Sequence, residues 1–507
     1  MFQGAGYTRP GVTRRRGPVV ATLVVLTLGL VGCVSYSDLK PARQPSAVSD
    51  FASERSLGGD VPAAWPAGQW WQRFGDPQLD KLVAEALTGS PELELAGARL
   101  RAARAVAEVA GAAGNPGYNA AFNSTWQRFT ENGVIPPPYG GMTHTNNDLT
   151  LNLNYHLDFW GRNRSALQAA LSRQHFSEAE EAEARLLLTT AVASAYIELD
   201  HRYQLLDVAE RTLKQRQAIY DLTEQRVQAG LDTRVQLKQA ESELPAIRGS
   251  IAALHEAINA SRYQLAALIG AGPDRGLAIG RPQLRVAATG SFEAPASVPA
   301  GLLGRRPDIV AARWRVEAAD WGVKASKAEF YPNVNLAAFV GLSSIGLDNL
   351  VESGSRVYGA GPAISLPLFA RHTLRGHLKE QLATYDAAVA SYDRALVDAL
   401  KEVATSINAG RWLVQRRSEQ RAALKTAEEA LSLATQRYRA GLGNYLTVLQ
   451  AQTSVLQSER EGAALDARAL ELHIQLIKAL GGGFDDAAGV ASHAKQTTGV
   501  DHDNARS

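Results

Sequence analysis

From Leu149 to Phe159 the chain alternates strictly. Leu149, Leu151, Leu153, Tyr155, Leu157 and Phe159 fall on one side, and Thr150, Asn152, Asn154, His156 and Asp158 on the other. A period of two sends successive side chains to opposite faces of a strand, and about eleven such residues span a bilayer when tilted. The pattern predicts a strand over about 147–159, with weaker stretches of the same kind at about 118–128, 333–340 and 361–369. Elsewhere the period is helical. Val192, Leu199, Leu206, Leu213, Tyr220 and Val227 recur every seven residues, as do Leu237, Leu244, Ile251, Ile258 and Leu265. Val389, Leu396, Val403, Leu424, Leu431 and Tyr438 form a third series, interrupted at Gly410 and Arg417, where local packing should differ. Leu449, Leu456, Ala463, Leu470 and Ile477 form a looser fourth. Sustained heptads predict coiled-coil packing. The long helices are expected over 165–229 and 373–440, with return helices over 232–270 and 445–480, the first bent at Pro245, since an interior proline costs about 3 kcal/mol unless a kink accommodates it.

The chain repeats itself. Gln225 to Glu241 reads QRVQAGLDTRVQLKQAE and Gln436 to Gln452 reads QRYRAGLGNYLTVLQAQ, with seven identities in seventeen positions at an offset of 211. Gly270 and Gly272 match Gly481 and Gly483 at the same offset; upstream, Pro91 faces Pro307 and Pro116 faces Pro332 at 216, and Phe159 faces Phe369 at 210. Two tandem copies of one design are implied, 65–270 and 299–483. The change of offset places a longer loop in the first copy, at Ile135 to Gly141. Each copy opens with an Ala-rich helix, behind Ser90-Pro91 in the first and over 307–329 in the second. Residues 271–298 read as a Gly- and Pro-rich link around the waist of the molecule, and 484–507, without apolar periodicity, as a disordered tail.

Element lengths and strand number constrain the assembly. A helix over 165–229 is roughly 100 Å long at 1.5 Å per residue, a strut rather than part of a compact domain. The return helix at about 57 Å falls short, and helix 307–329, about 34 Å, has the length to complete the wall. Four strands do not close a membrane barrel, which needs about eight or more, and an open edge is not tolerated in lipid. The barrel must be shared between chains. Three copies give twelve strands above a twelve-helix tube, a mixed α and β membrane protein. The aromatic residues Trp126, Tyr155, Phe159 and Trp160 near strand ends suit a membrane interface.

The N-terminus sets the compartment. Arg14, Arg15 and Arg16 precede the apolar run Val19 to Val31, the pattern of a secretory leader over 1–32. Leu30-Val-Gly-Cys33 resembles a bacterial lipobox, in which cleavage precedes a cysteine that then carries lipid. Cys33 is the single cysteine, so no disulfide forms within the chain and a multi-thiolate zinc site is excluded. Val34, in place of the aspartate that retains such proteins at the inner membrane, directs the chain outward. Residues 33–64 read as an extended tether. The full chain carries a net charge of +2; losing Arg9 and the three following arginines brings it to about −2, which gives no electrostatic case for nucleic acid.

Catalytic patterns are absent from the sequence. There is no His-Glu-x-x-His and no Gly-x-Ser-x-Gly, and Gly341 to Gly346 reads as a loop between the last two strands. Gly111 to Gly117 lacks the Lys-Ser/Thr of a phosphate loop. No catalytic residue, metal site or cofactor is expected beyond the lipid on Cys33.

The chain resembles the outer-membrane efflux proteins, the TolC-like exit ducts, and more closely their lipid-anchored branch that works with resistance-nodulation-division pumps. Cys33, Trp70-Trp-Gln-Arg-Phe-Gly-Asp-Pro-Gln-Leu79, Asp158-Phe-Trp-Gly-Arg162, Leu303-Gly-Arg-Arg-Pro-Asp308 through Pro332, and the two turns carry the likeness, over about 65–483. The resemblance implies a homotrimer in the outer membrane extending into the periplasm, a twelve-stranded β-barrel continuous with a twelve-helix α-barrel, docked by a periplasmic adaptor to an inner-membrane pump and conducting small molecules outward. A duplicated chain then supplies the helical turn six times per trimer. In relatives the Gly-Leu tip engages the adaptor, which assigns that role to Gly230, Leu231, Gly441 and Leu442, with Asp232 and Asn444 as flanking polar contacts. Some relatives ring the periplasmic constriction with aspartates; the corresponding positions here are Gln236, Gln239, Thr447 and Gln450, so an acidic ring is absent. The residues themselves also admit a non-conducting lipid-anchored coiled-coil tether, and the scaffold serves type I protein secretion and metal efflux as well as drug efflux.

Overall fold

The computed structural model describes residues 36–57, 65–284, 302, 304–367 and 369–486. The leader, Cys33, the link over 285–298 and the tail over 487–507 lie outside the described residues. The main helices are α1 (Pro77–Gly89), α2 (Pro91–Ala112), α3 (Arg162–Gln228), α4 (Arg234–Leu268), α5 (Pro307–Ala328), α6 (Arg371–Arg439) and α7 (Tyr445–Ala479); the strands are β1 (Gly117–Arg128), β2 (Thr143–Leu157), β3 (Asn333–Ile345) and β4 (Arg356–Ser365). α3 and α6 have 67 and 69 residues. α4 continues through Pro245. No described helix is long and apolar enough to cross a membrane.

The backbone divides into two compact units. The first contains Ala105–Leu171, Glu317–Ala387 and the described residues up to Gln44; the second contains Pro45–Arg104, Ser172–Val316 and the described residues from Ala388 onward. In the first unit the four strands form one antiparallel sheet in the order β1-β2-β3-β4. Its registers pair Phe122 with Leu149, Leu149 with Leu342, and Val340 with Tyr358. The β1–β2 connection, 129–142, is longer than the β3–β4 connection, 346–355. A small core of Val323, Phe330, Leu374, Leu378 and Leu382 lies in the same unit.

Three strand limits differ from the sequence reading. β2 stops at Leu157, so Phe159 is not its last residue: the Asp158 carboxylate accepts the amides of Asn163 and Arg164 and caps α3, while Gly161 turns at φ +75°. Gly341 to Ile345 is strand rather than loop, and its small residues hide the alternation: Ser343 donates to Asp148 on the neighbouring strand at 2.6 Å. β4 covers 356–365 rather than 361–369. Gly359 and Gly361 erase its pattern, and Pro362, opposite Leu336, has no amide hydrogen to give to the ladder.

The second unit is built on buried apolar faces of the heptads. Val192, Tyr196, Leu199 and Leu206 of α3 pack with Leu79, Leu82 and Val83 of α1, Leu265 of α4 and Ile474 and Ile477 of α7. Before α1 the Gly-Asp-Pro-Gln stretch acts as a joint. Gly75 takes φ 63°, Asp76 caps α1 through the Gln78 amide, and its other oxygen accepts from the Tyr196 hydroxyl at 2.7 Å and the Gln283 amide at 2.6 Å. Arg306 has a comparable role: its buried guanidinium donates to Asp308, Glu402 and the carbonyl of Ala479, the last residue of α7. A cation at a helix C-terminus meets the exposed carbonyl dipoles. Where Arg417 interrupts the heptads, a cavity of about 330 Å³ opens, lined by Arg211, Arg417, Glu459 and Asp466, with Arg417 donating to Asp466 at 2.5 Å.

Candidate functional site

In the first unit the alternation places apolar residues of all four strands on one side of the sheet. Cross-strand partners share a face, so Tyr118, Ala120 and Phe122 of β1 align with Leu153, Leu151 and Leu149 of β2, then with Ala338, Val340 and Leu342 of β3 and, beyond them, Ala360 and Tyr358 of β4. This face is uncovered within the unit: Leu151 is 48% exposed, and Phe122, Trp126, Val340, Tyr358 and Ile364 are exposed as well. The opposite face carries most of the polar side chains, several of them hydrogen-bonded to one another, together with Phe339 and Val357. Asn146 donates to Asp148 at 2.7 Å, Asn152 to Thr150 at 3.1 Å, and His156 Nδ1 lies 2.9 Å from Asn335 Oδ1. A soluble sheet would turn its apolar face to a core; this one turns it outward. Among the described residues β1 and β4 each have one neighbour, so both edges of this sheet are open.

In the second unit the two helix turns share one geometry. Gly230 has φ 70° and Gly441 φ 76°. Leu231 N donates to Arg226 O and Gly230 N to Val227 O; Leu442 N donates to Arg437 O and Gly441 N to Tyr438 O. Each is a Schellman turn with a left-handed glycine. In such turns an apolar residue following the glycine usually packs back on the helix, five residues upstream. Here that upstream residue is an arginine in both copies, and the leucines stay out: Leu231 is 64% and Leu442 71% exposed.

Around the turns the copies diverge. Arg226 Nε donates to Asp232 at 2.7 Å, Arg226 Nη1 to the Tyr438 carbonyl at 2.9 Å, and its guanidinium lies 4.6 Å from the centre of the Tyr438 ring. The Tyr438 hydroxyl donates to Asp232 at 2.6 Å and lies 2.9 Å from Thr223 Oγ1. Tyr438 is fully buried, with Ile219, Ala240, Tyr445 and Val448 around it. This brace ties the first turn to the end of α6. Burial, with the hydrogen bond to Asp232, pushes the Tyr438 phenol up to about 12. Asp232, read from sequence as a flanking surface contact, is therefore engaged internally, and its side chain is almost entirely buried. Asn444 accepts from the Thr447 amide and hydroxyl, both at 2.9 Å, and caps α7.

Of the four constriction candidates, Gln236 is committed to the cap of α4, its Oε1 accepting from the Thr233 amide and hydroxyl, and Thr447 is held by Asn444. Gln239 and Gln450 are exposed. Sequence reasoning missed Arg226, Thr223 and the role of Tyr438. The available signal was the breakdown of the repeat: at an offset of 211, Tyr438 replaces Val227 and Gly443 replaces Asp232.

A family model described as outer membrane efflux protein matches residues 82–271 and 298–482. The chain is 34% identical to the fusaric acid resistance protein FusA of Burkholderia cepacia, across 96% of this chain and 93% of that protein. It is 33% identical to the multidrug resistance outer membrane protein MdtP of Escherichia coli O6:H1, across 84% and 88%. Among solved structures, the outer membrane protein VceC of Vibrio cholerae superposes with a TM-score of 0.79 at 40% identity, covering 83% of this chain and all of that one.

Proposed function

Because this chain belongs to the outer membrane efflux protein family, we propose that three copies join their sheets edge to edge into one twelve-stranded barrel and form the exit duct of a tripartite efflux system. The duct passively conducts toxic small molecules delivered by an inner-membrane pump of the resistance-nodulation-division type through a periplasmic adaptor. The uncovered apolar sheet face carries this reading. An even number of antiparallel strands leaves β4 of one copy antiparallel to β1 of the next, so closure continues the same ladder and removes both edges. A non-conducting tether has no use for such a face. The names of FusA and MdtP, fusaric acid resistance and multidrug resistance, support small-molecule cargo.

Cys33 carries the lipid anchor in this reading, and metabolic palmitate label should enter the wild-type chain and not Cys33→Ser. The Gly230-Leu231 and Gly441-Leu442 turns are the adaptor contacts; their leucines stand mostly exposed and suit an apolar counterpart, with Asn444 beside them. Changing Leu231 and Leu442 together to Asp should abolish efflux in a strain whose own duct gene is deleted while leaving the trimer intact. Efflux at wild-type rates would refute tip docking. Gln239 and Gln450 form a neutral constriction in place of an acidic one. Conductance in planar bilayers should be insensitive to divalent cations, and Gln239→Asp with Gln450→Asp should make it sensitive; sensitivity already present in the wild type would refute that assignment.

A further inference from the structure

The segment after Cys33 is neither helix nor strand from Tyr36 to Ala47, yet it is fastened to its own chain at short intervals. In the first unit the Tyr36 hydroxyl lies 3.2 Å from that of Tyr331, and its ring 4.8 Å from Phe330. The Asp38 carboxylate accepts from Arg375 at 2.9 and 2.5 Å. The main-chain amides of Ala42 and Arg43 both donate to the Asp386 carboxylate, at 3.0 to 3.2 Å. In the second unit the Ser46 amide donates to Asp393 at 3.0 Å. Asp386 and Asp393 are one heptad apart on α6. Carboxylates that accept main-chain amides hold the path of the backbone whatever its side chains are, and such charge-assisted bonds are the stronger kind.

The clip limits where an anchor can go. Two residues, Val34 and Ser35, separate Cys33 from Tyr36, so the three steps reach about 10 Å at full extension. Tyr331, which Tyr36 touches, stacks on Trp160 at 4.6 Å and 16°, and the Trp160 indole donates to the Pro332 carbonyl at 2.9 Å. Phe159 and Trp160, in the turn between β2 and α3, are exposed. We propose that Tyr36 to Ser46 is a strap by which Asp386 and Asp393 seat the chain's own acyl anchor against the aromatic step Phe159-Trp160. The proposal rests on acylation of Cys33; the reach from Tyr36 selects that anchor over free phospholipid as the occupant. Asp386 and Asp393 are positioning residues.

The test uses the full-length trimer in open outer-membrane fragments, whose periplasmic face is accessible to protease. Trypsin can cut after Arg43 only if the strap leaves α6, because a protease needs several residues in extended, accessible form. Changing Asp386 and Asp393 together to Ala should speed the appearance of a fragment beginning at Gln44 at least about tenfold, the scale of losing hydrogen bonds to charged groups. Changing both to Asn keeps an acceptor and should restore most of the protection. A photoreactive palmitate analogue should cross-link the wild type at peptides containing Phe159 and Trp160, and the Ala variant diffusely. Equal cutting rates, or wild-type cross-links only to free lipid or to other segments, would overturn the strap. Absence of palmitate label with unchanged cutting behaviour would instead remove the acylation of Cys33 and leave the clip standing.

Discussion

Tyr438 joins the end of α6 to the turn between α3 and α4 through one hydroxyl shared by Asp232 and Thr223. Tyr438→Phe keeps the ring in its apolar surroundings and removes that hydroxyl. Local opening of residues 223–238 should become easier by about 1–3 kcal/mol, seen as faster amide exchange there and unchanged exchange in α1. Asp232→Ala should do more, about 3–5 kcal/mol, because it leaves the buried Arg226 guanidinium without its carboxylate. Equal protection in wild type and both variants would show that the brace holds nothing. Its pH dependence has a definite sign. The folded phenol titrates near 12, above the usual value of about 10. The neutral form is the one the fold favours, so the contribution is complete below about 10 and lost as pH rises through 12. Ultraviolet titration of wild type minus Tyr438→Phe should show one phenolate appearing near pH 12; a transition near 10 would refute the brace.

At the scale of elements, four helix ends use the same left-handed glycine turn, but the surroundings differ. Gly230 and Gly441 face open space. Gly270 and Gly481, at φ 73° and 87°, sit where an added Cβ would overlap the carbonyl oxygens of Gly89 and Arg305. Alanine at Gly230 or Gly441 should therefore cost only the left-handed backbone term, about 1–2 kcal/mol. Alanine at Gly270 or Gly481 adds a clash with main chain that has no rotamer to yield, and should cost clearly more, above about 3 kcal/mol. The temperature at which the trimer dissociates on electrophoresis ranks them. Equal effects at all four positions would contradict the packing described here.

At the scale of the whole molecule, one chain is incomplete: a four-stranded sheet with two open edges and an uncovered apolar face is stable in lipid only when closed by copies of itself. The protein extracted in mild detergent should run as a trimer that heat converts to monomer, with the β signal in circular dichroism lost in the same step. A monomer that kept its full β content would refute closure between chains.

The long helices and the duplication were legible in the residue order, because a heptad series and a constant offset are properties of spacing that survive without coordinates. That order also determined that β2 is a strand with an apolar face, since period two over Leu149 to Leu157 has no helical reading. It was less informative where side chains are small: the upper half of β3 and most of β4, rich in Gly, Ala and Ser, carry little pattern, and their limits came from cross-strand pairing. The helix turns were legible as Gly-Leu pairs, because a left-handed residue favours glycine at any position in a chain. That Asp232 faces inward was decided only by tertiary structure. Its ion pair with Arg226 spans only six residues, but Tyr438, which covers that pair, comes from the other copy of the repeat 206 positions away, a contact that spacing does not encode.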